Sequence, residues 1–192
     1  MRHIPIALAI TLVSGFALAE QRHAGSHVHG LNHATIVLEG NSLQIAYEFP
    51  AEQLSENERD EHEHDEHEHD EQKHDEQKHD EKGDKNHALS EKLEAIESIF
   101  AMVRLPKNAQ CKEIKVTHSV TQVGGNDKED EGHFDALIEA ILECSAPKNL
   151  TNVSFAPAFE RFDDLEKIEV EGVLGTKALF ETLTAKSPSL AL

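Results

Sequence analysis

The chain has little positive charge, little sulfur and none of the short signatures of the common enzyme folds. Eighteen Lys and Arg face 37 Asp and Glu, for a formal net charge of −19 with histidine neutral. Such a surface repels nucleic acid and anionic lipid and attracts cations, so polyanions are excluded as expected partners. No G-x-S-x-G, Walker loop or dinucleotide-binding glycine fingerprint occurs. The histidine-rich stretch does not contain H-E-x-x-H either. His62-Glu63 is followed at the fifth position by Glu66, and His67-Glu68 by Glu71, which gives a zincin-type protease centre no support. The chain reads as a binding protein and not as an enzyme.

Apolar runs are also scarce. The longest, Ile4 to Leu18, is short for a membrane span, follows Arg2 and ends in Ala17-Leu18-Ala19. That pattern predicts a cleaved signal peptide over 1–19 and a secreted chain beginning near Glu20. No later stretch is apolar for long enough to span a bilayer. Removing the leader takes away Arg2 and no acidic residue, so the mature chain is more acidic still. Residues 20–192 suffice for a single domain with its own core. Its two cysteines, Cys111 and Cys144, are expected to form a disulfide in an oxidising compartment, with a soft Cys/His metal site as the alternative. Closing that loop contributes about 3 to 4 kcal/mol by chain entropy.

What the chain does have is histidine. His62 to Glu81 reads HEHDEHEHDEQKHDEQKHDE, four five-residue units that end in His-Asp-Glu. His64, His69, His74 and His79 are in register, and His62 and His67 are added in the first two units. A period of five matches neither the helix nor the strand, and the stretch has no apolar residue to bury. A solvated, disordered His/Asp/Glu-rich loop over 56–86 is therefore expected within the domain. A charge run is usually a plain spacer. Six histidines in twenty residues point instead to metal, because neutral imidazole is the commonest protein ligand for zinc and also suits copper and nickel. Zinc takes about four ligands, so the run could hold one or two ions, with carboxylates or water completing the shells. Ordering a loop on binding weakens each site, which suits capture and buffering. Binding needs neutral imidazole and should weaken as pH falls through about 6.5.

A second group, His23, His27, His29 and His33, opens the mature chain. His27 and His29 point the same way if the backbone is extended and could share one ion. From Asn32 the pattern is that of a β-hairpin. Ala34, Ile36 and Leu38 alternate with His33, Thr35 and Val37, Glu39 to Ser42 form a turn, and Leu43, Ile45, Tyr47 and Phe49 define a second alternating face. Leu89, Leu93, Ile96, Phe100 and Val103 recur at helical spacing, with Asn86 or Ser90 as N-cap and an end near Leu105-Pro106. Ile114, Val116, His118 and Val120 suggest a third strand, with His118 a satisfied core histidine. His133 to Cys144 fits a helix and a strand by pattern; its Ala, Leu and Glu content favours helix, while a disulfide between neighbouring strand ends favours strand. Short strands over 150–155, 168–174 and 178–183 close the chain, the last of them final, with a turn or short helix at Pro157 to Phe162. Gly172 and Gly175 suggest bends.

Several segments together resemble the ZrgA family of periplasmic zinc-binding proteins. They are HVHG at His27 to Gly30, the hairpin His33 to Ala51, Leu105-Pro106 through Cys111, His133 eleven residues before Cys144, FERF at Phe159 to Phe162, and Leu183-Thr184. The resemblance implies an α+β fold, mainly an antiparallel sheet with one long helix, one disulfide and the inserted loop. It implies that His133 to Cys144 is a strand and that Cys111 pairs with Cys144. It further implies a periplasmic role in zinc uptake beside an ABC-type metal importer, with His27, His29 and His133 as the family-like ligands. In that family the histidine-rich loop usually lies between the cysteines, whereas here it precedes the helix. A buffer for excess zinc, copper or nickel is the competing expectation.

Overall fold

The computed structural model describes residues 29–56, 81–123 and 133–192. Alternating apolar residues and a turn at Gly40, whose φ is 61°, build the antiparallel hairpin β1 (Leu31–Glu39) and β2 (Ser42–Pro50). A second antiparallel pair, β3 (Cys111–Val123) and β4 (His133–Cys144), joins it through β2 and β4. On the other side β1 pairs in parallel with β6 (Lys167–Leu174), which pairs antiparallel with β7 (Lys177–Thr184). The sheet order is β3-β4-β2-β1-β6-β7, and β5 (Asn152–Ser154) pairs separately with β8 (Ser189–Ala191). The fold is therefore mostly strand, in a largely antiparallel sheet, with few and short helices. Among the described residues no helix is long and apolar enough to cross a membrane.

One face of the sheet carries the core. Ala34, Ile36, Leu43, Ile45, Tyr47, Phe49, Ile138 and Leu142 are buried there against Leu93, Ile99, Met102, Phe155 and Phe162. Tyr47 and Phe155 stack with ring centroids 6.1 Å apart, and Phe49 meets Phe162 at 5.0 Å. Burial on that face specifies the register of the central strands β1, β2, β4 and β6, because a one-residue slip would turn their apolar set outward.

His133 to Cys144 is a strand and not the helix its composition favours. Ala136, Ile138, Ala140, Leu142 and Cys144 are buried in alternation, paired with β2 on one side and β3 on the other. Two neighbours override a propensity difference of tenths of a kcal/mol per residue. The Cys111–Cys144 disulfide is present, and the two residues face each other in the β3–β4 register.

The expected long helix is not found. Helix α2 spans Glu81–Glu94, so it begins before both Asn86 and Ser90 and ends well before Leu105. Past Glu94 the chain leaves helical geometry, with no helix over 96–98 and Ser98 extended at φ −150° and ψ 145°, before a short 3₁₀ turn begins. Ile99–Ala101 is such a turn, capped by Ser98, whose Oγ accepts from the Phe100 amide. Glu113 on β3 accepts from the Ile99 amide at 3.0 Å and from the Ser98 hydroxyl at 3.1 Å. The break in the helix resets the phase of the chain, which buries Ile99 and leaves Phe100, expected in the core stripe, 40 % exposed. A bulge between Glu113 and Lys115 makes a similar correction. It extrudes Ile114 and keeps Glu113 on the core side with Val116, His118 and Val120. The C-terminal elements fall near their expected places, with helix α3 at Ala156–Arg161 after the four-residue α1 (Gln53–Glu56) and α2, but β8 follows the strand expected to be last.

Gly175 turns the chain from β6 to β7 with φ of 62°. Gly172 serves a different end. It pairs with Ile36 across β1 and β6, and a Cβ there would lie 1.9 Å from the Ile36 carbonyl oxygen. Gly172→Ala must push the two strands apart, and by the cost of overpacking it should lower unfolding free energy by about 1 to 3 kcal/mol in urea titration. Cys111→Ser with Cys144→Ser, which opens a crosslink of sequence separation 33, should cost about 3 to 4 kcal/mol in the same assay.

Candidate functional site

The strand registers bring one set of ends together. Leu31 pairs with Lys167 and Lys167 with Thr184, while Pro50 pairs with Asp135 and Val123 with His133. The start of β1, the exit of β2 and the start of β4 thus share one end of the sheet, opposite the disulfide. His29 lies two residues before β1, and His133 is the first residue of β4. Both are exposed. With β2 between them, the backbones of β1 and β4 run about 10 Å apart.

The described residues that flank the histidine-rich insert reach the same end. Helix α1 follows directly on β2. Beyond α2 the chain passes His118, whose Nε2 lies 2.8 Å from the Ile96 carbonyl oxygen, and then Glu113. It therefore runs toward the disulfide end of β3, and the start of α2 points back to the end where His133 lies. Helix α1 also packs on α2. His118, expected as a satisfied core histidine, is half-buried with that carbonyl as partner.

A buried polar chain locks this end. Asn32 Nδ2 donates to the Tyr47 hydroxyl at 2.8 Å and to Gln53 Oε1 at 3.1 Å, and Gln53 Nε2 donates to the Asp164 carboxylate at 3.2 Å. Gly30 adds a second tie, its carbonyl accepting from the amides of Glu166 and Lys167. The bonds link the segment after His29, the helix that leads into the insert and the approach to β6. Sequence reasoning missed this chain, whose outer end, Asp164, is exposed. The available signal was Asn32, an amide on the inward phase that Ala34 and Ile36 continue.

The open face of the sheet holds a row of different chemistry. Leu137, Glu48, His33, Glu169 and Thr182 stand side by side across five strands, with His33 Nδ1 3.7 Å from Glu169 Oε2. Among the described residues no group of three His, Cys, Asp or Glu is arranged to hold a metal ion. A surface cleft of about 520 Å³ lies elsewhere, lined by Phe100, Arg104, Pro157, Glu160 and Arg161 among others, with no imidazole.

Of the sequence-predicted ligands, the structure thus places His29 and His133 at one end of the sheet. His27, His62, His64, His67, His69, His74 and His79 lie outside the described residues, as do the expected signal peptide and most of the 56–86 loop. Neither protein-family models nor curated proteins give a match to the chain.

Burial pushes ionisation of the Tyr47 hydroxyl well above its ordinary 10.0; the Asn32 bond opposes the shift and the Asp164 charge adds to it. Below pH 10.0 the phenol is neutral in both folded and unfolded chains and contributes no pH slope. Above it only the unfolded chain loses the proton, so stability falls as pH rises. Tyr47 is the only tyrosine, so phenolate absorbance should appear only far above pH 10 in the native protein. Tyr47→Phe should remove this part of the alkaline slope in denaturant titrations.

Proposed function

We propose that this protein is a periplasmic zinc-binding protein, of the kind its ZrgA-like segments suggest, that captures scarce zinc and supports its uptake through an ABC-type metal importer. The observation that carries the reading is the His-Asp-Glu repeat of His62 to Glu81, six imidazoles with carboxylates beside each. Its topology supports the reading. The described elements that flank the insert, α1 and α2, reach the end of the sheet where His29 and His133 lie, so both attachment points of the repeat are on the side of these imidazoles. His27, two residues before His29, completes the set of ligands proposed for a structured site. An acidic chain also raises the local cation concentration.

The same composition favours a second reading, a buffer for excess zinc, copper or nickel, because imidazole sites generally bind copper more tightly than zinc. Growth separates the two. A deletion strain that fails only under chelation supports uptake, and one that fails only in excess metal supports buffering.

Calorimetric zinc titration of residues 20–192 beside a form lacking His62 to Glu81 is the direct test. A tight site should survive the deletion while the weaker sites disappear, and His29→Ala with His133→Ala should then weaken the survivor by about tenfold or more. All sites should weaken as pH falls through about 6.5. Unchanged zinc stoichiometry after the deletion would remove the repeat from the mechanism.

A further inference from the structure

The two edges of the sheet are built differently. At one edge β3 carries a bulge between Glu113 and Lys115, with Lys112 and Lys115 beside it, devices that keep an edge strand from pairing with another chain. At the other edge β7, KALFETLT, has no bulge and no proline, and from Lys177 to Thr182 it has no strand on its outer side among the described residues. Only its end is closed, where the Thr184 amide donates to the Ser187 carbonyl. Phe180, in the middle of this edge, is 67 % exposed, and Val173 on the adjoining strand is 42 % exposed. Neither Lys177 nor Glu181 has an ionic partner among the described residues.

We infer that β7 is a homodimerisation edge, pairing antiparallel with β7 of a second copy about a two-fold axis at Leu179. The sequence of the strand is self-complementary in that register and carries the choice of partner. Leu179 faces Leu179 of the other copy, and Lys177 faces Glu181 on both sides of the axis. On the opposite face Phe180 lies across from Ala178. Ala178 is itself paired with Val173, and Val173 with Val37, so each Phe180 reaches an apolar row of the facing protomer. The one contact covers both exposed apolar side chains at this edge, satisfies two charge pairs and continues the sheet across both copies. The isologous geometry closes at two subunits and leaves no further β7 edge. A single strand pair buries less than a standard interface, so the dimer forms at concentrations on the order of 0.1 mM and not at nanomolar.

Sedimentation of residues 20–192 in EDTA, over a concentration series that passes that range, is the test. Chelation is essential because histidine-rich segments of two copies could be bridged by metal. A dimer is expected for the natural sequence. Lys177→Glu alone and Glu181→Lys alone each set like charges opposite one another and should shift dissociation at least tenfold, while the double variant restores the pairing. Leu179→Cys should form a covalent dimer on oxidation, and Phe180→Cys, whose counterpart is Ala178, should not. Circular dichroism checks that each variant is folded. A chain that stays monomeric throughout the series, a dimer indifferent to the single charge reversals, or one that exists only with metal present would each overturn the inference.

Discussion

The parallel pairing of β1 with β6 is the contact on which the rest depends. It joins two halves of the chain that would otherwise be an antiparallel group of four strands and a separate hairpin. The pairing runs from Leu31 with Lys167 to Leu38 with Leu174, and it is close enough at Ile36 that only glycine fits opposite. A parallel neighbour cannot be reached through a tight turn. The chain spends α2, the 3₁₀ turns, β5 and α3 on the way round, and those elements cover the core face of the sheet they cross.

The same pairing sets where the candidate chemistry sits. Because β1 and β6 start together, and β2 and β4 are fixed by antiparallel register, the described ends that flank the histidine-rich insert come to one end of the sheet and the disulfide to the other. Asn32, Tyr47, Gln53 and Asp164 then tie the strand after His29 to the helix before the insert. A buried amide left without these partners would cost 1 to 3 kcal/mol, so the network favours a single arrangement of that end. The division of labour is physical. A segment with no apolar residues has nothing to bury, so the strands and helices on either side of it must supply the core.

Residues that failed to follow their local pattern did so where a neighbour had a stronger claim. Phe100 sits on a regular helical stripe with Leu93 and Ile96, yet the helix stops at Glu94, the Glu113 carboxylate accepts from Ser98 and the Ile99 amide, and Ile99 is buried in its place. Ile114 begins the alternation that Val116 and Val120 continue, and the bulge removes it. His133 to Cys144 has the composition of a helix and the partners of a strand. Each outcome depends on a residue distant in sequence, which no window of local periodicity contains.

The sequence by itself determined the β1–β2 hairpin, the inward positions of Ala34, Ile36, Leu43, Ile45, Tyr47 and Phe49, the satisfied role of His118 and the pairing of the only two cysteines. These follow from side-chain alternation, turn chemistry and the cost of burying polar groups, all of which act locally or by composition. It also singled out the histidine run, because a five-residue period without apolar residues suits no packed element. The tertiary structure decided that β4 is a strand, that α2 stops at Glu94, that β6 runs parallel to β1, and that His29 and His133 share one end of the sheet. Those choices belong to hydrogen-bond partners and packing surfaces brought together from opposite ends of the chain, and their free energy exceeds the small local preferences they overrule.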